Sequence, residues 1–165
     1  MQCYLVRHGE AQPDAEDSAR SLSERGREEV RLIALHAAAA GVQVAEILHS
    51  GKSRGRQTAE ILADYLRPPR GIREMDGLEP NDDPKKARAK LEAATESLMV
   101  VGHLPHLGLL VSALIVGEPK TGLVQFRTGA MACLVRTKEA YRLQWLLTPE
   151  LAGALELSTG SGGDG

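Results

Sequence analysis

No apolar run in this chain approaches the roughly 20 residues needed to cross a bilayer. The first residues also lack the basic-then-apolar pattern of a secretory leader. A membrane is therefore not expected as a partner. Cysteine is scarce, with only Cys3 and Cys133 present. Both lie in apolar, strand-like runs rather than in paired motifs, and their spacing is no metal signature. That pattern argues against a disulfide framework and for reduced core thiols in a cytoplasmic protein. A strong charge of one sign is missing as well. A net charge of -2 gives nucleic acid or an anionic surface little to attract it. There is no internal repeat.

What is present suits one ordinary globular domain of 165 residues, 42% apolar and 25% charged. Cys3 to Val6 is a short buried strand, and Glu10 to Ser21 is a polar loop. Ser23 caps a helix whose apolar face is Val30, Ile33, Ala34 and Ala37, ending near Gly41. Val44 to His49 is a second strand. Ser50 is placed as the cap of a second helix, with Ala59, Leu62, Ala63 and Leu66 inward and Pro68-Pro69 as its stop. A short strand near Ile72, an acidic loop over Asp76–Pro84 and an exposed helix over Lys85–Glu96 follow. Leu98 to Val101 is the clearest strand, and Pro105 opens a helix carrying Leu107, Leu110, Val111 and Leu114. Ala130–Val135 and Tyr141–Leu147 form a hairpin, with Trp145 in the core. The domain is expected to span 1–157, and 158–165 to be a disordered Gly/Ser-rich tail. Strands alternating with helices give a single three-layer α/β domain. Its sheet is mostly parallel, with helices on both faces and a mixed edge.

In open α/β sheets, ligands bind beyond the carboxyl ends of the strands. Three strands deliver reactive residues there. The first ends in Arg7-His8-Gly9, the second is followed by Ser50 and Arg54, and the clearest ends in Gly102-His103. Two arginines and two histidines are a phosphoryl-binding set. Arginine forks bond two oxygens at once and keep their charge. A nucleophilic histidine must be neutral, and neighbouring guanidinium groups disfavour its protonation. Gly9 keeps the chain beside that ring uncrowded and permits positive φ. The helix opened by Pro105 aims its N-terminal amides at the anion. No metal or other cofactor is required, because the arginines carry the charge that magnesium carries elsewhere.

These residues resemble the histidine phosphatase, or phosphoglycerate mutase-like, superfamily. Arg7-His8-Gly9 matches its Arg-His-Gly signature. Ser50 to Thr58 is similar to its Ser-Pro-x-x-Arg-x-x-Gln-Thr motif, with Gly51 in the place of the proline. Leu22-Ser23-Glu24-Arg25-Gly26 resembles its Leu-Thr-x-x-Gly helix start, and Val101 to Pro105 the segment of the second histidine. The short length and His103-Leu104-Pro105 resemble the SixA-type phosphohistidine phosphatases. The resemblance implies a phosphoglycerate mutase-like fold. It also implies a covalent phospho-His8 intermediate, with Arg7, Arg54 and His103 binding the phosphoryl group.

Many members of that superfamily also use an acid from a segment after the second helix. Glu79, Asp82 and Asp83 are the candidates here, with Glu10 at the rim, and a plain solvated loop competes with each. An imidazole leaving group, with a conjugate-acid pKa of about 6.5, tolerates a missing donor far better than an alkoxide does. His49 and His106 lie close to the pocket in sequence and have structural readings beside functional ones. His36, inside the first helix, is read as structural. Three functions stay open. The first is a phosphohistidine phosphatase acting on a phosphocarrier or histidine phosphotransfer domain. The others are a small-molecule phosphomonoesterase and a silent phosphate-binding module. Short inserts leave little chain for the closed site a mutase needs. The chain is expected to be a monomer.

Overall fold

Residues near the N-terminus divide their side chains between two cores. Tyr4 and Val6 join one apolar cluster, while Cys3 and Leu5 join another, as the two-residue period of a strand dictates. The computed structural model describes residues 1–14, 17 and 19–160, and 157–160 along the backbone only. Within it, β1 (Gln2–Arg7), β2 (Glu46–His49), β3 (Ile72–Glu74), β4 (Leu98–Gly102), β5 (Met131–Arg136) and β6 (Tyr141–Leu147) make one sheet. Between and after them come α1 (Glu24–Ala39), α2 (Ser53–Leu66), α3 (Lys85–Ala93), α4 (His106–Val116) and α5 (Pro149–Gly160). The strand order is β3-β2-β4-β1-β5-β6. The first four run parallel, whereas β5 is antiparallel to both β1 and β6.

The sheet separates the helices into two layers. Val30, Ile33, Ala34 and Ala37 of α1, Ala59 and Leu62 of α2 and Ala152 of α5 bury against the Tyr4/Val6 face. Ala87 and Leu91 of α3 and Leu107, Leu110, Val111 and Leu114 of α4 bury against the Cys3/Leu5 face. Parallel strands covered on both sides must be apolar throughout, and β4 is buried at every position. Each fully buried leucine or isoleucine in these layers contributes about 1.5–3 kcal/mol of transfer free energy. Trp145, only partly buried, closes one end of the first core beside Tyr4, with ring centroids 6.0 Å apart.

Three local features differ from the sequence expectation. Lys52, not Ser50, occupies the N-cap position of α2, and that helix has no side-chain cap. Ser50 instead turns its hydroxyl to His103. The second strand begins at Glu46 rather than Val44. Finally, α5 follows β6, where no helix is expected. Its start carries the usual physical signals: Thr148 Oγ1 accepts from Leu151 N at 3.2 Å, Pro149 opens it, and Glu150 lies in the first turn. The domain boundary expected at 157 falls inside α5, and the remaining tail residues, 161–165, lie outside the described residues.

Candidate active site

The carboxyl end of β1 is held on both sides. His8 N donates to Gly102 O at 3.0 Å, prolonging the ladder with β4. Gly129 N reaches the carbonyls of both Arg7 and His8 at 3.0 Å. These bonds place the His8 ring where β1 and β4 end side by side. Gly9 N then donates to Thr58 Oγ1 at 3.0 Å, whose own hydroxyl donates to Arg54 O at 2.7 Å. Thr58 thus ties the histidine loop to the first turn of α2, which carries Arg54. Gly9 does not adopt a positive φ. Its place needs glycine for space, since a Cβ there would stand 2.7 Å from Val30 Cγ2 of α1.

His8 lies 8% exposed. Its Nδ1 is 2.7 Å from Gly9 O. A carbonyl only accepts, so Nδ1 carries the proton and the lone pair belongs to Nε2. Burial depresses the His8 pKa to about 4. The Gly9 bond opposes that shift, and the charges of Arg54, Arg7 and Arg20 reinforce it. His103, 1% exposed, is depressed to about 3 by burial, with His8, Arg54, Lys52 and His106 adding to it. The two rings face each other with centroids 5.0 Å apart and planes 46° apart. Both are neutral at physiological pH.

Ser50 Oγ lies 2.6 Å from His103 Nε2 and accepts from Lys52 N at 3.3 Å. The hydroxyl still has its proton to give to an unprotonated Nε2, the arrangement in which the His103 proton rests on Nδ1. That nitrogen is buried and has no protein partner among the described residues. Arg7 Nη1 donates to Phe126 O at 2.9 Å, which aims the guanidinium, while Arg7 Nε and Arg54 Nε are buried without a protein acceptor. Burial lowers the pKa of both arginines from a very high value, so both stay charged. Buried donors almost always find an acceptor in native proteins. Here Arg7 Nε, Arg54 Nε and His103 Nδ1 lack one among the described residues, a set whose chemistry suits a tetrahedral oxyanion.

The His8 and His103 rings therefore face each other at the ends of β1 and β4, with Arg7 next to His8 at the end of β1 and Arg54 in the first turn of α2. The acidic candidates fare differently. Glu10 Oε1 accepts from the Ser23 hydroxyl at 3.0 Å and Glu10 O from Ser23 N at 2.9 Å, so Glu10 braces the start of α1. Asp82 Oδ2 accepts from Glu79 N at 2.9 Å, closing the turn of the acidic loop. Glu79, Asp82 and Asp83 do border an open cleft of about 480 Å³ that Ser50 also lines, but none of them bonds to the four residues among the described contacts. His49 Nδ1 accepts from Gly51 N at 3.0 Å, a structural bond. His106 is fully buried at the start of α4, beneath the acidic loop, with its amide on Pro80 O. His36 pairs with Glu156 at 3.1 Å, far from this end of the sheet.

Sequence reasoning missed three contributors. Ser50 looks like a helix cap because serine before a helix usually is one. Glu74, the last residue of β3, lines the same cleft as Ser50. A Cβ on Gly51 would stand 2.3 Å from Glu74 Oε1, so the carboxylate lies directly over the turn. Gly51 itself has φ +87°, which the proline usual at this place could not adopt. Arg20, in the loop before α1, presses its charge on both His8 and Arg54. Nothing in its local spacing marks it.

Comparison with known proteins gives the family. The model of the histidine phosphatase superfamily, branch 1, matches residues 3–96. The phosphohistidine phosphatase SixA of Escherichia coli K12 is 33% identical over 155 residues, covering 90% of this chain and 94% of that protein. Among solved structures, the protein histidine phosphatase SixA complexed with tungstate superposes with a TM-score of 0.80 at 33% identity, covering 90% of this chain and 97% of that one. A SixA homologue from Agrobacterium tumefaciens, described as a putative phosphohistidine phosphatase, gives 0.72 at 28% identity, covering 90% and 97%. The chain belongs to the histidine phosphatase superfamily.

Proposed function

We propose that this chain is a protein phosphohistidine phosphatase whose nucleophile is His8 Nε2. The observation that carries the reading is the bond from His8 Nδ1 to Gly9 O. It fixes the tautomer and leaves the Nε2 lone pair free, while Arg7 Nε and Arg54 Nε are buried without a protein acceptor among the described residues. In the first step Nε2 forms a bond to phosphorus as the bond from phosphorus to the substrate imidazole breaks. The substrate ring takes a proton from water at its unphosphorylated nitrogen, so that it departs as neutral imidazole. In the second step water attacks phosphorus, the bond to Nε2 breaks, and inorganic phosphate leaves.

Charge on the transferring group is spread over three equatorial oxygens, so positioning and electrostatics supply most of the rate. Arg7 and Arg54 meet that charge, and His103 donates from Nδ1. Depressed pKa values help both histidines. His8 is already unprotonated and can attack, and His103 adds a hydrogen bond without a second labile charge. A departing imidazole is a weak base, with a conjugate-acid pKa of about 6.5, so it needs no built-in acid. A phosphocarrier or histidine phosphotransfer domain is the substrate that fits, and the relatives named as phosphohistidine phosphatases support a phosphohistidine-bearing protein. The same proposal makes the chain a cytoplasmic monomer, in line with two free, buried cysteines. Among the described residues no helix is long and apolar enough to cross a membrane.

A second reading, a small-molecule phosphomonoesterase, is favoured by one observation: the Glu74 carboxylate over Gly51, in the cleft lined by Ser50. The deciding experiment incubates the protein and a His8→Ala variant with a ³²P-phosphohistidyl carrier protein and with an alkyl phosphate. Fast release from the carrier, lost in the variant, supports the first reading. Release from the alkyl ester alone moves the substrate to small phosphoesters, and release from neither leaves only a phosphate-binding module.

A further inference from the structure

Between the end of α4 and the start of β5 the chain runs along the surface, and from Val116 to Gln125 every residue except Val124 is exposed. Phe126 then turns inward. It is the only phenylalanine of the chain, and its ring, 2% exposed, joins the core cluster of Leu5 on β1 and Leu107 and Leu110 on α4. The connection is fastened on either side of it. Ser112 of α4, fully buried, donates from Oγ to Glu118 O at 2.7 Å and accepts from Lys120 N at 3.0 Å. Beyond Phe126, Ala130 N donates to Arg127 O at 3.0 Å, and Arg7 N donates to Ala130 O at 3.0 Å.

A ring buried to that depth fixes the main chain that carries it, because a close-packed interior leaves little room to shift. The oxygen so fixed is the acceptor for Arg7 Nη1, at 2.9 Å. That bond holds one corner of the guanidinium. The edge made of Nε and Nη2 is the side of the fork that meets two oxygens of one anion. On that edge Nε is buried without a protein acceptor among the described residues. Holding Nη1 therefore decides where the two-pronged edge points. Without the hold, a long side chain regains rotamers that each lose this aim. Phe126 lies outside every motif by which the site is read from sequence, 119 positions from Arg7.

We propose that Phe126 is a positioning residue for Arg7, its buried ring acting as the peg that holds the carbonyl on which the guanidinium is aimed. The inference rests on the reading that Arg7 binds a phosphoryl group. A peg of this kind acts on phosphate binding and turnover through Arg7 alone, so its effect disappears once position 7 has no fork to aim.

The test compares Phe126→Leu and Phe126→Ala with Leu110→Ala, which opens the same core at a side chain that makes no hydrogen bond. Inorganic phosphate binding is measured by calorimetry below each melting temperature, and the ¹⁵N-edited Nε–H signal of Arg7 follows the guanidinium. Phe126→Ala and Leu110→Ala should both melt lower, but only the Phe126 variants should lose phosphate affinity. The expected loss is about tenfold in Phe126→Ala, the size of one charge-assisted hydrogen bond, and smaller in Phe126→Leu. The Arg7 signal should move in Phe126→Leu as well, a variant with enough apolar bulk to fold if the alanine variant does not. In an Arg7→Lys background, Phe126→Leu should cause no further fall in kcat/KM on a phosphohistidyl carrier protein. Equal affinity losses in Leu110→Ala and Phe126→Ala, or an unmoved Arg7 signal and unchanged affinity in Phe126→Leu, overturn the assignment of Phe126 alone. A parent protein that binds no phosphate overturns both this assignment and the phosphoryl-site reading beneath it.

Discussion

Ser50 Oγ sits 2.6 Å from His103 Nε2, and both groups are buried. This one contact links the strand ends of β2 and β4. It also sets which nitrogen of His103 faces its hydrogen-bond partner and which is left to donate. A serine that reads as a helix cap in sequence is thereby an orienting group for the site. Its tight surroundings agree: a Cβ on Gly55, one turn into α2, would lie 3.3 Å from Ser50 Oγ and 3.6 Å from His103 Nε2.

Replacing Ser50 with alanine should leave the fold in place but free the His103 ring to change tautomer. Misorienting one hydrogen-bond donor to a developing charge costs on the order of 10²-fold in kcat. Steady-state kinetics on a phosphohistidyl carrier, with ¹⁵N chemical shifts reporting the His103 tautomer, checks this. A kcat within error of the parent would show that Ser50 does not orient the ring.

The buried histidines make stability depend on pH in a defined direction. Above the unfolded value of about 6.5, both His8 and His103 are neutral folded or unfolded and contribute no pH dependence. Below it the unfolded chain takes up protons that the native rings refuse until pH approaches about 4 for His8 and about 3 for His103. The unfolded state binds more protons across that window, so stability falls as pH drops through it. Thermal melting from pH 7.5 to pH 4.5 should show the decline, and a His8→Asn variant should show less of it. Identical pH slopes for parent and variant would remove His8 as a contributor.

Gly51 should resist substitution. An alanine there combines φ +87° with a Cβ 2.3 Å from Glu74 Oε1. Backbone strain of that kind costs about 1–3 kcal/mol, and displacing the Glu74 side chain opens the cleft. Urea unfolding of Gly51→Ala should report a loss in this range. Removing the carboxylate in a Gly51→Ala, Glu74→Ala pair should recover only the steric part.

Glu74 discriminates the two catalytic readings. If the leaving group is imidazole, Glu74→Gln should leave turnover of the phosphohistidyl carrier close to that of the parent, because water supplies the proton. General-acid catalysis contributes about 10²–10⁴-fold where it operates. A drop of that size on the carrier protein would make Glu74 a proton donor and sink the acid-free mechanism. The same drop confined to an alkyl phosphate would favour the small-molecule reading.

Much of this molecule was legible in one dimension because its signals are local. Val30, Ile33, Ala34 and Ala37 recur at helical spacing and all bury on α1. The Ser23 cap is read from its own neighbours, and its hydroxyl accepts from Gly26 N at 3.0 Å. Arg7-His8-Gly9 and Gly102-His103 end consecutive parallel neighbours, and the α/β rule that ligands bind at carboxyl ends brings them together. The helix α5 was less legible, because its apolar pattern is weak and the Gly/Ser-rich end beyond it suggests an earlier stop. Arg20 was hidden in a polar loop with no periodicity.

The sequence by itself determined the alternating elements, the two-faced sheet and the residue types that meet a phosphoryl group. Periodicity, caps and strand-end motifs are properties of neighbours along the chain, so no fold is needed to read them. Tertiary structure decided what depends on contact between distant segments. Among these are the His8 tautomer set by a carbonyl within bonding reach, the Ser50–His103 bond, the Glu74 carboxylate over Gly51 and the aim of Arg7 at Phe126 O. Protonation and orientation belong to this second group because burial and hydrogen-bond partners exist only once the chain has folded.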